Sequence, residues 1–211
     1  MIGIYGGTFD PIHYGHLRTA LEVKEAVGLA EVRFIPCREP PHRNPPEAAP
    51  EQRLALLQAA LRDVEPGFRI DTRELDRPGP SYMVDTLASL RAELGAEPLG
   101  LILGLDAFAG LDRWHLWRNI FELAHVLVMQ RPGTASELPD ELRTLLEDRA
   151  LRAPELLHAS PAGRVCVVPV TQLEISASQI RKLIAAGSSP RYLIPDPVIE
   201  LIRRFGLYGS A

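Results

Sequence analysis

The 211-residue sequence predicts a doubly wound α/β protein, a mostly parallel sheet with helices on both faces. Two observations carry this. Short apolar runs alternate with segments of helical spacing along most of the chain. Several of those runs, Leu99–Leu103 and His125–Met129 among them, are continuously apolar. A strand covered by helices on both faces reads that way, whereas a half-exposed strand alternates.

The elements follow in order. Met1–Tyr5 reads as a short buried strand running into Gly6-Gly7. Leu17, Ala20, Leu21 and Val27 recur at helical spacing, and Gly28 can close that helix in a left-handed conformation. Val32–Ile35 is a second strand. Residues 36–50 contain six prolines, which exclude regular structure and predict a long, stiffened loop. Leu54, Leu57, Leu61 and Val64 mark a second helix, and Phe68–Leu75 alternates like a strand. Leu87, Leu90 and Leu94 mark a third helix closed by Gly95. After the strands Leu99–Leu103 and His125–Met129, the stretch from Thr134 to Gly163 reads as helix plus loop. Arg164–Val168 is the last strand, and helices are expected at Ser178–Ala186 and Pro197–Phe205. One domain covering residues 1–211 accommodates all of this.

Composition limits the function classes. Lys plus Arg is 23 and Asp plus Glu is 27, a formal charge of −4. Non-specific nucleic-acid binding draws on clustered positive charge, so no nucleic-acid partner is expected. No apolar run reaches the ~18 residues of a membrane span, so no membrane partner is expected. There is no basic leader, and Asp10 interrupts the first apolar stretch, which argues against a secretory signal. Cys37 and Cys166 have neither metal-ligand nor CxxC spacing and read as reduced thiols of a cytoplasmic protein.

Two segments carry chemistry. Gly6-Gly7-Thr8-Phe9-Asp10-Pro11-Ile12-His13-Tyr14-Gly15-His16 follows the first strand and opens the first helix. Glycines there allow backbone to approach a ligand closely. His13 and His16 are three apart and share a helix face. A helix start normally favours acids, but this one carries His13, His16 and Arg18 with no acid after Asp10. Free N–H groups and the helix dipole attract an anion, and a phosphate answers all three bases. A metal held by His13 and His16 would need further ligands that the neighbouring sequence lacks. The second segment, Ile175-Ser176-Ala177-Ser178-Gln179-Ile180-Arg181-Lys182, also follows a strand and opens a helix. Ser176 or Ser178 can cap it, and Arg181 offers a planar fork for two phosphate oxygens.

With both segments in view, the chain resembles the nucleotidyltransferase superfamily, through His13-Tyr14-Gly15-His16 and Ser178-Gln179-Ile180-Arg181. Within it, the chain is most similar to the bacterial nicotinate-nucleotide adenylyltransferase family. That resemblance also covers Pro40-Pro41-His42-Arg43, Pro80-Ser81-Tyr82, Gly104 with Asp106, Trp114 and Gln130-Arg131-Pro132-Gly133. Two positions depart from it: Met83 stands where Thr is commoner, and Ser-Ala-Ser replaces a form with Thr in third place. The resemblance implies a Rossmann-like fold and transfer of AMP from ATP, with Mg²⁺ arriving on the ATP, to nicotinate mononucleotide. It implies His16, His13 and Arg181 as catalytic groups. Gly7, Thr8, Phe9, His42, Arg43, Arg131, Ser176 and Ser178 would surround the phosphates, and Gly104 and Asp106 would hold the adenosine. Tyr82, Met83, Trp114 and His115 would form the nicotinate pocket. Trp117, His125 and His158 are expected to be structural.

The implied reaction gives deamido-NAD and pyrophosphate by in-line attack of the acceptor phosphate, with no covalent intermediate. Three rival readings stand beside it: transfer to nicotinamide mononucleotide, transfer to phosphopantetheine, or a non-catalytic nucleotide sensor on the same fold. The phosphopantetheine enzymes typically carry Thr in place of His13 and lack the Trp114 region. A sensor would be expected to have lost a phosphate group such as His16 or Arg181.

Overall fold

In the computed structural model, residues 1–41, 45–62, 65–130 and 138–209 are described. Six strands form one sheet: β1 (Ile2–Gly7), β2 (Glu31–Pro36), β3 (Phe68–Ile70), β4 (Leu99–Gly104), β5 (His125–Gln130) and β6 (Val165–Pro169). Their order is β3-β2-β1-β4-β5-β6, and every pairing is parallel. The register sets Ile2 opposite both Glu31 and Leu99, so β1 is the central strand.

The helices are α1 (Tyr14–Val27), α2 (Pro50–Leu61), α3 (Arg73–Asp76), α4 (Met83–Leu94), α5 (Leu105–Ala109), α6 (Trp117–Leu123), α7 (Asp140–Arg149), α8 (Ala177–Ala185) and α9 (Asp196–Phe205). Short 3-10 turns cover 111–113, 154–159 and 207–209. Two apolar cores lie on opposite faces of the sheet. Tyr5, Phe34, Ile102 and Leu127 face one, with α1, α2, α8 and α9. Ile4, Ile35, Leu101 and Val126 face the other, with α4, α6 and Leu142 of α7. Successive strand residues thus enter different apolar cores. This is the physical origin of the continuously apolar runs.

Most predicted boundaries hold to within a residue or two. Gly28 closes α1 at φ 69°, its N–H bonded to the Lys24 carbonyl. Three readings are corrected. The alternation at Phe68–Leu75 is strand only to Ile70. The Asp71 carboxylate then accepts from the Arg73 backbone N–H and guanidinium, which turns the chain into α3. The buried face of α2 is Arg53, Leu56, Leu57 and Ala60, while Leu54 and Leu61 are only partly covered. A buried arginine on an apolar stripe shifts the face, and apolar periodicity cannot anticipate it. The expectation of glycines following the first strand also changes: Gly6 and Gly7 lie within β1, paired with Ile35 and Pro36. Helices α5 and α6 are not signalled by the sequence pattern between 105 and 123. α5 and α6 hold five and seven residues, too few for a helical repeat to register.

Candidate active site

The chain leaves β1 toward β2 and β3, then returns to build β4, β5 and β6 on its other side. The crevice beyond the carboxyl ends of β1 and β4 is therefore the switch point where such sheets bind ligands. Among the described residues, those predicted to bind nucleotide gather at those ends.

Beyond β1, Phe9 adopts a left-handed φ of 49° and turns its ring into the core, 5.2 Å from the His16 ring. A Cβ on Gly7 would meet that ring at 2.9 Å, and one on Gly6 would meet the Met83 methyl at 2.5 Å. The space beside these two glycines is thus filled by Phe9 and Met83. Packing of Phe9 and Met83 thus accounts for the missing side chain at both positions.

His13 is the N-cap of α1 and His16 its third residue. The His13 backbone N–H donates to His16 Nδ1 at 3.3 Å, and the two rings stack 3.6 Å apart. An accepting Nδ1 places the proton of a neutral imidazole on Nε2, so His16 presents a donor there. The first turn of α1 contains no acid. Arg18, counted from the sequence among the bases of this helix start, instead pairs with Glu22 at 2.6 Å on the exposed flank.

Ser176 caps α8, its hydroxyl accepting from the Gln179 N–H at 3.2 Å. Ser178 is exposed in the first turn, which again lacks acids. Arg181 reaches across to the other segment: Nη1 donates to the Asp10 carbonyl at 2.8 Å, and Nε pairs with Glu47 at 2.6 Å. A Cβ on Gly15 would lie 3.3 Å from the Ile175 carbonyl, so the two helix starts abut.

The remaining predicted groups line the mouths of β4 and α4. Gly104 caps α5, with open space where a Cβ would stand, and Asp106 is exposed in the following turn. Tyr82 caps α4, which leaves the Met83 N–H without an intrahelical acceptor. The Tyr82 ring lies 4.5 Å from that of His115. Trp114 is half-buried beside them, whereas Trp117 is 7% exposed and belongs to the core. His42, Arg43 and Arg131 lie outside the described residues.

Several buried polar residues at the site escaped the sequence reading. Arg53 is 0% exposed and donates to the carbonyls of Thr8 (2.7 Å), Ala48 (3.3 Å) and Arg38 (3.4 Å). Asp10, 4% exposed, accepts from the Glu47 and Ala48 N–H groups and the Tyr208 hydroxyl. Glu74 accepts from Thr86 at 2.6 Å beneath the start of α4, and burial pushes its carboxyl above the usual range. The Ser81 hydroxyl accepts from the Arg38 N–H at 2.9 Å, tying the loop after β2 to the turn before α4. The only sequence signal for Arg53 is a cation on an otherwise apolar helix face. Tyr208 has none.

Other groups are structural. His125 is buried, with Nε2 on the Ser160 carbonyl and Nδ1 accepting from Arg164. His158 holds the Val27 carbonyl at 2.9 Å. Cys37 and Cys166 are buried free thiols, both pushed up by burial. A cavity of about 380 Å³ between α6 and α7 is lined by Arg118, Glu141 and Arg149, and contains no predicted site residue. No described helix is long and apolar enough to cross a membrane.

An all-parallel sheet of this order, with two basic helix starts meeting at its switch point, defines an α/β protein of the nucleotidyltransferase class. The cytidylyltransferase-like family model matches residues 4–183. A protein from Methylococcus capsulatus named a probable nicotinate-nucleotide adenylyltransferase is 56% identical over 210 residues, covering all of both chains. One of the same name from Halorhodospira halophila is 52% identical, over 99% of this chain and 95% of its own. Among solved structures, Plasmodium falciparum nicotinic acid mononucleotide adenylyltransferase complexed with NaAD superposes with a TM-score of 0.73 at 16% identity. It covers 100% of this chain and 98% of its own. A putative nicotinate-nucleotide adenylyltransferase from Vibrio parahaemolyticus gives 0.65 at 16% identity, over 100% and 96%. At such identities these two structures speak for the fold. The chain belongs to the cytidylyltransferase-like family and, within it, to the nicotinate-nucleotide adenylyltransferases.

Proposed function

We propose that this protein transfers AMP from ATP to nicotinate mononucleotide, giving deamido-NAD and pyrophosphate, as a cytoplasmic enzyme with one domain. The single observation that carries the site assignment is the reach of Arg181 to the Asp10 carbonyl. It brings two acid-free helix starts together at the sheet's switch point, where a triphosphate chain would find N–H groups, two histidines and a guanidinium.

An acceptor phosphate oxygen attacks the α-phosphorus in line, the bond from the α-phosphorus to the bridging oxygen breaks, and pyrophosphate leaves. A phosphate monoester, with a second pKa near ~6, is already largely ionised at neutral pH, so the reaction needs no general base. This chain's residues act by positioning and by stabilising charge. His16, with Nδ1 occupied by the His13 N–H, supplies its Nε2–H to the reacting phosphate. Arg181, His13, Ser176, Ser178, Gly7 and Thr8 hold the chain of phosphates, with His42, Arg43 and Arg131 adding charge. Mg²⁺ would arrive on ATP, ligated mainly by phosphate oxygens and water.

On the acceptor side, Trp114 provides a platform for the flat pyridine ring. The N–H groups of Met83 and His115 receive the nicotinate carboxylate. The nicotinamide form would turn an NH₂ toward one of those donors, a mismatch that costs up to ~10⁴-fold in a site built for hydrogen bonding. Pyrophosphate release with ATP, Mg²⁺ and a panel of acceptors tests the reading. Nicotinate mononucleotide should be strongly preferred, and comparable kcat/KM for the nicotinamide form would sink the pocket assignment. Met83→Thr should leave the preference intact, because only the backbone N–H is used.

A further inference from the structure

We propose that the C-terminal turn is tethered to the phosphate site through Tyr208 and Asp10, and that Tyr208 is a positioning residue for Arg181. The inference rests on the assignment of Arg181 to the ATP phosphates. It extends that assignment to a residue 27 positions away, in the last described turn of the chain.

The Asp10 carboxylate is buried and accepts from three directions. Oδ1 takes the Tyr208 hydroxyl at 2.6 Å and the Ala48 N–H at 3.2 Å, and Oδ2 takes the Glu47 N–H at 2.8 Å. With the side chain so fixed, the Asp10 main-chain carbonyl is fixed too, and it is this carbonyl that receives Arg181 Nη1 at 2.8 Å. The Asp10 carboxylate itself lies 3.9 Å from Nη1. Glu47, whose N–H rests on Asp10, holds Arg181 Nε with its own carboxylate. Two of the guanidinium nitrogens are thereby oriented by groups that depend on Asp10. Among the described residues Nη2 has no hydrogen-bond partner, and the side chain remains 23% exposed. Nε and Nη1 are thus held against protein, and Nη2 is left to meet an oxyanion.

Tyr208 is placed for this task at a cost. Its φ of 58° lies in the left-handed region, unusual for an aromatic residue. Its turn packs on α8, the helix that carries Arg181: a Cβ on Gly209 would stand 3.6 Å from the Ala185 Cα. The same turn therefore touches the far end of α8 and, through the hydroxyl, the loop facing the start of α8. Burial together with the Asp10 carboxylate drives the phenol pKa far up, so the hydroxyl remains a donor at any working pH.

The test is a double-mutant cycle on binding of a non-hydrolysable ATP analogue with Mg²⁺, read by titration calorimetry, so that no acceptor is needed. Tyr208→Phe retains the ring and deletes the donor. If it acts through Arg181, it should weaken the analogue by about 3- to 10-fold in the wild-type background and by less than about 1.5-fold in Arg181→Ala, the non-additivity of coupled residues. Unchanged affinity in a folded Tyr208→Phe, or equal losses in both backgrounds, overturns the tether and leaves the functional reading standing. Unchanged affinity in Arg181→Ala alone overturns the phosphate assignment itself. If Tyr208→Phe does not fold, the same cycle with Asp10→Asn decides: coupled loss supports the tether and additive loss removes it.

Discussion

Replacing Arg53 with methionine isolates what a buried guanidinium does for the loop after β1. The side chain is fully buried and donates to carbonyls on three segments that meet at the site: Thr8 after β1, Arg38 after β2 and Ala48 just before α2. The bond to Thr8 is short, at 2.7 Å, and the other two are long, at 3.3 and 3.4 Å. A charge-assisted bond contributes about 1.5–3 kcal/mol, and the two long ones about 0.5–1 kcal/mol each, before any carbonyl recovers a water. Methionine fills similar volume and no longer buries a charge, which returns part of that loss. The net expectation is a destabilisation of about 2–4 kcal/mol. For a chain of this size that lowers Tm by roughly 5–15 °C. Calorimetric melting and urea titration check it, with an unchanged m-value showing that the native state is still compact. The released Thr8 loop should also raise KM for ATP more than KM for the acceptor. A Tm within about 2 °C of wild type, with unchanged KM for ATP, would refute the idea that this guanidinium shapes the loop. Arg53→Lys should fall between, since one ammonium cannot span three carbonyls set in a fork.

Three further outcomes are expected. His16→Ala should lower kcat by about 10²-fold or more with near-normal far-UV circular dichroism, since it removes one charge-stabilising donor; an unchanged kcat in a folded variant removes His16 from the mechanism. Gly6→Ala should be mild, because its Cβ meets only the mobile end of Met83, whereas Gly7→Ala presses on the buried Phe9 ring and should cost more in Tm; the reverse order in a melting experiment would contradict this packing. Burial lowers the His125 pKa in the folded protein below the ordinary imidazole value of about 6.5. The unfolded chain therefore binds the proton first, and stability should decline as pH falls from about 6.5 toward the folded value, at no more than ~1.4 kcal/mol per pH unit. In His125→Asn the slope of stability against pH over that range should be shallower, and an identical slope would assign the effect elsewhere.

The sheet and the two acid-free helix starts are legible in the sequence, because both are written locally. A strand buried on two faces must be apolar throughout, as Leu99–Leu103 is, and a helix start without acids but with His13 and His16 is a departure visible in a few residues. The Ser176 cap and the Gly28 terminus are likewise short-range features. What depends on distant partners could be decided only by tertiary structure. Gly6 and Gly7 of β1 make room for Met83 and Phe9, and Arg18 turns to Glu22 rather than to the two histidines. Arg53 finds carbonyls as many as 45 residues away, and Tyr208 meets Asp10 across 198 residues. A buried charge or hydroxyl is permitted only by the acceptors that surround it, and those acceptors come from loops whose adjacency exists only once the sheet has closed.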